Sequence, residues 1–227
     1  MRHTVLLFDI DGTLVATGGV GKRAMVAAFD RLHGVRDIFE GTNFAGMTDR
    51  AIVRHGLERA AVEATGDAIE LLLEHYLECL HVELQEVTRY RVLPGVTSLL
   101  RKLHGRERIA IGLGTGNVKR GAYAKLAPGK IDGAFAFGGF GCDHEDRVEL
   151  IRTGAERGAA ALGVARSECR VVIIGDTPKD VAAAKGIGAE CVAVATGGFT
   201  SAQLRETNAE HVIESLEDER VVPLLVG

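Results

Sequence analysis

The chain has 227 residues, with 27 Lys and Arg against 31 Asp and Glu, for a formal net charge of −4. Hydrophobic residues are 46% and charged residues 26%, a globular mix that excludes a disordered or collagen-like chain. Aromatic residues are only 5% and Trp is absent, so neither a broad basic surface nor base-stacking platforms are evident, and nucleic acid is not an expected partner.

No segment approaches the roughly 18 consecutive apolar residues of a membrane span. The apolar run after the basic start, Val5–Phe8, is shorter than the roughly 7–15 residues of a signal-peptide core. The expectation is a cytoplasmic protein without a membrane partner. Cys79, Cys142, Cys169 and Cys191 form no C-x-x-C pair, and read as reduced core thiols rather than a zinc knuckle or disulfide frame.

Thr4–Asp9 opens the chain as a short apolar strand ending at an acid. From about Gly18 to Tyr90 the text becomes helical, with predicted helices at Lys22–Leu32, Asp49–Val62 and Asp67–Gln85. In the last, Ile69, Leu72, Leu73, Tyr76, Leu77, Leu80 and Leu84 follow the spacing of one apolar helix face. Asp49 and Asp67 are candidate helix caps. Strand-like runs resume at Ile109–Leu113, Val171–Gly175 and Cys191–Ala195, with Phe135–Phe137 a further candidate. Gly- and Pro-containing segments Thr17–Gly21 and Arg91–Gly95 flank the helical block as two hinges. The implied order is an α/β parallel sheet with an all-helical insertion after its first strand. This divides the chain into a core of 1–16 and 91–227 and a cap of 17–90. Glu214–Arg220 reads as a solvated terminal loop or helix.

Chemically suggestive groups fall just past the strands, where ligands bind in open parallel sheets. In Phe8–Leu14 (FDIDGTL), Asp9 and Asp11 lie two residues apart and can face the same side, before a turn at Gly12. Two crowded carboxylates call for a cation or a shared proton, and oxygen-only ligation suits Mg²⁺; the plainer reading is a turn. Gly112–Asn117 (GLGTGN) brings small residues and the Thr115 hydroxyl to a helix start, a phosphate-binding arrangement. It fails the dinucleotide G-x-G-x-x-G pattern in either register, and Thr17–Arg23 fails the P-loop pattern at both ends. In Ile173–Asp180 (IIGDTPKD), Asp176 and Asp180 suit capping as well as ligation, with Thr177 and Pro178 fitting a cap and first turn. Gly141–Arg147 (GCDHEDR) reads as a charged loop leading into a helix.

Taken together, these motifs make the chain resemble haloacid-dehalogenase-superfamily hydrolases with a helical cap, similar to the phosphoglycolate-phosphatase-like members. The resemblance implies a three-layer Rossmann-like core with an inserted cap. It implies Asp9 as the nucleophile forming an aspartyl-phosphate and Asp11 as the acid and then the base. Asp9, the Asp11 backbone carbonyl and Asp176 would hold Mg²⁺, with Asp180 supporting the metal shell. Thr115, with the amides near Gly116 and Asn117, would bind phosphoryl oxygens. The family's third motif usually carries a Lys, often followed by Pro; no Lys-Pro occurs here. Arg147 is the candidate replacement, ahead of Lys125 and Lys130, which precede Phe135–Phe137. An acid at Asp11 favours phosphate-ester chemistry over dehalogenation. Arg50, with Thr48, Asp49, Lys22 and Arg23, is a candidate for contacting the rest of the substrate. The expected activity is a Mg²⁺-dependent phosphatase of a small phosphorylated metabolite, phosphoglycolate-like or a sugar phosphate, working as a monomer or homodimer. The rivals are a phosphomutase of the β-phosphoglucomutase kind and a catalytically silent phosphometabolite-binding module.

Overall fold

The computed structural model describes residues 2–227. Strands β1 (His3–Phe8), β4 (Ile109–Thr115), β5 (Gly138–Phe140), β6 (Cys169–Gly175), β7 (Glu190–Val194) and β8 (His211–Ile213) form one parallel sheet in the order β5-β4-β1-β6-β7-β8. The chain winds one way from β1 through β4 to β5, then the other from β6 to β8. β1 is therefore central, and Asp9, Thr115 and Asp176 fall at the carboxyl ends of three adjacent strands.

Both faces of the sheet are covered, which is why its strands read as continuous apolar runs. On one face Leu6, Phe8, Val172 and Ile174 pack against Leu99, Leu100 and Leu103 of α4 (Val96–Leu103), Leu126 of α5 (Lys119–Leu126), and Val221 and Leu225 of α9 (Val221–Val226). On the other face Val5, Leu7, Val171 and Ile173 meet Leu150, Ile151 and Ala155 of α6 (Arg147–Ala161). Val181 and Ala184 of α7 (Pro178–Gly186) and Leu204 of α8 (Ser201–Glu206) complete that layer.

The helical block lies between the two-residue strands β2 (Val15–Ala16) and β3 (Arg91–Val92), which pair antiparallel and hold its two connections side by side. Its helices α1 (Val20–His33), α2 (Asp49–Arg59) and α3 (Gly66–Glu86) bury a separate apolar cluster. Ile69, Leu72, Leu73, Tyr76 and Leu80 face it as the spacing predicts, and Phe29, Phe39 and Phe44 stack edge to face within it. Val118, from the core, also inserts there. Gly18 and Gly19 turn into α1 with left-handed φ of 64° and 83°.

Several sequence expectations are corrected. Phe135–Phe137 is not a strand: β5 begins at Gly138, where Gly138 lies close on Leu113 of β4 and Gly139 on the α6 backbone. Thr48 and Thr65, not Asp49 and Asp67, cap α2 and α3, accepting from Ala51 N and Ala68 N at 3.2 Å. Cys169 and Cys191 are buried thiols, but Cys142 is exposed. Glu214–Arg220 is a turn segment, in agreement with the loop reading, and the terminal helix that begins at Val221 seals the sheet. No helix among the described residues is long and apolar enough to cross a membrane.

β5 and α6 approach backbone to backbone: a Cβ at Gly139 would overlap the Leu150 carbonyl, and one at Gly154 would stand 2.8 Å from Gly139 N. Backbone atoms yield less readily than side chains. Gly139→Ala is expected to destabilise the fold by about 1–3 kcal/mol, the usual cost of overpacking, read as a lower urea midpoint.

Candidate active site

A cavity of about 250 Å³ opens at the carboxyl ends of β1, β4 and β6, closed from above by α1, α2 and α3. Asp9 follows β1 directly, and its amide still bonds the Ile174 carbonyl of β6 at 2.8 Å, so the sheet itself aims the carboxylate. Arg147, the first residue of α6, is buried with Nη2 at 3.1 Å from Asp9 Oδ2. The same guanidinium bonds Asp180 Oδ1 through Nη2, and through Nε at 3.1 Å. The other oxygen of Asp180 caps α7, accepting from Thr177 N at 3.0 Å and Thr177 Oγ1 at 2.8 Å. Asp180 therefore orients Arg147 and the β6–α7 turn, and both its oxygens are engaged.

Asp176 receives a 3.1 Å bond from Thr13 Oγ1 and is pressed between two glycines. A Cβ at either Gly12, whose φ is 86°, or Gly197 would overlap its carboxylate. Gly12 thus does more than turn the chain: its bare, left-handed backbone makes room for an acid from another strand. Oxygens of Asp9, Asp176 and Asp180 lie within 4.8 Å of one another. Burial raises the Asp9 carboxyl to about 6, with Arg147 opposing and Asp180 adding. Burial, then Asp9 and Asp180, raise Asp176 to about 8. Crowded oxygen donors that resist ionising together are the chemistry of a hard divalent cation site. Asp9 and Asp176 have oxygens left to offer it.

Asp11 points elsewhere. Its carboxylate accepts from Lys125 Nζ at 2.7 Å, Asn117 Nδ2 at 3.0 Å and Thr17 Oγ1 at 3.4 Å. Burial would raise it, but Lys125 and these hydrogen bonds outweigh that and hold it below the usual carboxylate range. The Asp11 side chain therefore stands apart from the cluster of Asp9, Asp176 and Asp180, which leaves its backbone carbonyl as the atom the resemblance assigns to the metal. Burial works against the Lys125 ammonium, yet Asp11, Tyr76 and Asp49 hold it above its ordinary range. Lys125 Nζ also donates to Asn117 Oδ1 at 2.6 Å, and Asn117 Nδ2 to Thr115 Oγ1 at 2.9 Å.

Thr115 is fully buried, and its oxygen accepts from the Asn117 amide at 3.3 Å as well. Its own O–H remains free to donate into the cavity. The Asn117 amide is thus committed to Thr115. Gly116 lines the cavity and also seats the cap: its carbonyl accepts from Asp49 N at 2.8 Å, and a Cβ there would overlap the Met47 carbonyl. Asp49 Oδ2 in turn accepts from Val118 N at 2.8 Å.

Of the expected substrate-contacting residues, Lys22 and Asp49 line the cavity. Arg50 does not: it pairs with Glu70 inside the cap. Arg23 pairs with Glu83 at 2.7 Å, and Thr48 bonds the Glu145 carbonyl at 3.1 Å beside the Arg54–Glu145 ion pair. In the Gly141–Arg147 loop Asp143 pairs with Arg157 and Asp146 caps α6, so that loop is structural. Sequence reasoning underrated Lys125 and passed over Thr13 and Tyr76. The i, i+3, i+4 stripe of α3 marked Tyr76 as core, and nothing local separates a core Tyr from one whose hydroxyl meets a cavity.

The model of the haloacid dehalogenase-like hydrolases matches residues 3–188, and the chain belongs to that family. Among solved structures, CbbY from Rhodobacter sphaeroides in complex with phosphate is similar at TM-score 0.71 and 19% identity, over 96% of both chains. A hydrolase from Pseudomonas syringae gives TM-score 0.68 and 23% identity, over 96% of this chain and 95% of its own. A predicted phosphoglycolate phosphatase from Haemophilus somnus gives 0.67 and 15%, over 98% and 97%. At such identities they share the fold. No curated protein sequence matches the chain.

Arg147 neutralises two buried acids, so Arg147→Ala is expected to cost about 3–5 kcal/mol of stability, measured by urea denaturation. Asp9 and Asp176 hold their protons more tightly folded than unfolded. The folded state then carries more protons between about pH 4 and pH 8, and stability falls as pH rises through that window. A cation that binds the ionised pair opposes this. Magnesium is expected to raise the melting temperature more at about pH 8 than at about pH 5, in a thermal-shift measurement.

Proposed function

We propose that the protein is a magnesium-dependent phosphatase of small phosphorylated metabolites, working through an aspartyl-phosphate. The observation that carries this is the setting of Asp9: a strand-end carboxylate 3.1 Å from Arg147, beside Asp176 and opposite the free hydroxyl of Thr115.

Phosphate binds with its oxygens directed at Thr115 and Arg147, which offset its charge and fix the phosphorus in line with Asp9. Asp9 Oδ attacks phosphorus, the bond to the ester oxygen breaks, and the leaving oxygen takes a proton from Asp11. The phosphate dianion beside Asp11 raises its proton affinity for this step. Once the alcohol has left, Lys125 favours the Asp11 carboxylate, the form that takes a proton from water as it attacks the aspartyl-phosphate. Asp9 and Asp176, with the Asp11 carbonyl, would hold magnesium, which would supply charge to offset repulsion between carboxylate and phosphate. The cap, seated on Gly116 and Val118 through Asp49, excludes bulk water. Asp180 supports this arrangement by holding Arg147.

Purified protein with magnesium is expected to release inorganic phosphate from p-nitrophenyl phosphate. Asp9→Asn is expected to lower turnover by about 10⁴-fold or more with an unchanged circular dichroism spectrum. Retained turnover in Asp9→Asn would sink the covalent mechanism.

A further inference from the structure

Asp9, Asp11, Thr115 and Arg147 account for the core side of the cavity, and that chemistry makes no use of the cap side. There the polar side chains include Tyr76 of α3, Asp49 of α2 and Lys22 of α1, set among Met25, Phe44, Met47 and Ile52. Tyr76 is 1% exposed, yet its hydroxyl lines the cavity and has no hydrogen-bond partner among the described residues. The hydroxyl is open to the cavity and offers a ligand one donor and one acceptor site. Burial pushes the Tyr76 phenol up, and it stays a neutral O–H. Asp49 is 6% exposed; its Oδ2 is spent on Val118 N, while its Oδ1 has no hydrogen-bond partner among the described residues.

Gly21 of α1 lies beside Tyr76 and Lys125. A Cβ there would stand 3.1 Å from Lys125 Nζ and 3.7 Å from Tyr76 Oη, so the bare backbone keeps the space between them open. Lys125 is not free to neutralise an incoming anion, because it already serves Asp11 and Asn117. The other cavity cation, Lys22, bonds the Thr42 carbonyl at 3.3 Å and sits 5.4 Å from the centre of the Phe44 ring. A carboxylate on the leaving alcohol would face the Asp49 carboxyl on the cap side, with Lys125 already bonded to Asp11 and Asn117. A hydroxyl there can donate to Asp49 Oδ1 and accept from Tyr76. A cavity of about 250 Å³, below the roughly 300–1,000 Å³ of drug-sized pockets, suits a small alcohol.

We infer that Tyr76 and Asp49 form the leaving-group subsite, and that it selects the hydroxyls of a short polyol monophosphate over a carboxylate-bearing phosphate. The inference rests on the phosphatase reading above. It is tested with glycerol phosphate, n-propyl phosphate, phosphoglycolate and p-nitrophenyl phosphate on the magnesium-loaded protein. The wild type is expected to prefer glycerol phosphate over both n-propyl phosphate and phosphoglycolate by about tenfold or more in kcat/KM. Tyr76→Phe, which removes one oxygen from an otherwise intact core side chain, is expected to bring glycerol phosphate within about twofold of n-propyl phosphate. That loss falls mainly on KM, with n-propyl and p-nitrophenyl phosphate unchanged. Asp49→Asn keeps an acceptor for Val118 N–H and is expected to narrow the gap to phosphoglycolate. A wild type that prefers phosphoglycolate, or a Tyr76→Phe loss equal on every substrate, overturns the subsite alone. A wild type inert toward p-nitrophenyl phosphate overturns the phosphatase reading and the subsite with it.

Discussion

Three carboxylates, from Asp9, Asp176 and Asp180, are held within a few ångströms at the carboxyl ends of two adjacent strands, and much of the molecule exists to make that tolerable. Like charges in a site screened from water repel strongly. Arg147 meets part of the cost by bridging Asp9 and Asp180, and the amide and hydroxyl of Thr177 donate to the other Asp180 oxygen. The remaining imbalance shows as raised proton affinity on Asp9 and Asp176. A divalent cation resolves that imbalance, and so links the folding physics of the site to its chemistry.

Packing follows from the same constraint. Asp176 fits only because Gly12 and Gly197 lack a Cβ, and Thr13 supplies the one hydrogen bond it has from the protein. Arg147 reaches Asp9 only because α6 lies close on the sheet, which Gly139 and Gly154 permit. Local turns that look like simple chain punctuation are thus fitted to acids and helices far away in sequence.

The cap has its own apolar cluster and joins the core through a short paired crossing, but its docking is polar. Asp49 binds the Gly116 carbonyl and the Val118 amide, so one residue of α2 reads the backbone of the phosphate-binding loop. This couples the cap to the loop carrying Thr115 and sets Tyr76 and Lys125 near each other across the boundary. A second acid network, Asp11–Lys125–Asn117–Thr115, keeps the proton-transfer carboxylate separate from the metal-competent group.

The sequence alone determined the parallel α/β sheet, the helical insertion after β1, and Asp9, Asp11, Thr115 and Asp176 at strand ends. These follow from short-range patterns: apolar runs closed by Gly or Asp, helical spacing, and acids at fixed offsets within one turn. The family resemblance also pointed to Arg147 as the candidate cation, in place of the Lys of the third motif. What Arg147 bridges, why Arg50 turns away to Glu70, and how Asp180 spends both oxygens were decided only by the tertiary structure. So were the start of β5 at Gly138, the pairing of Asp11 with Lys125, and the unpaired Tyr76 hydroxyl. Each depends on which atoms meet across separations of tens to more than a hundred residues, where burial and charge compensation replace local spacing as the deciding force.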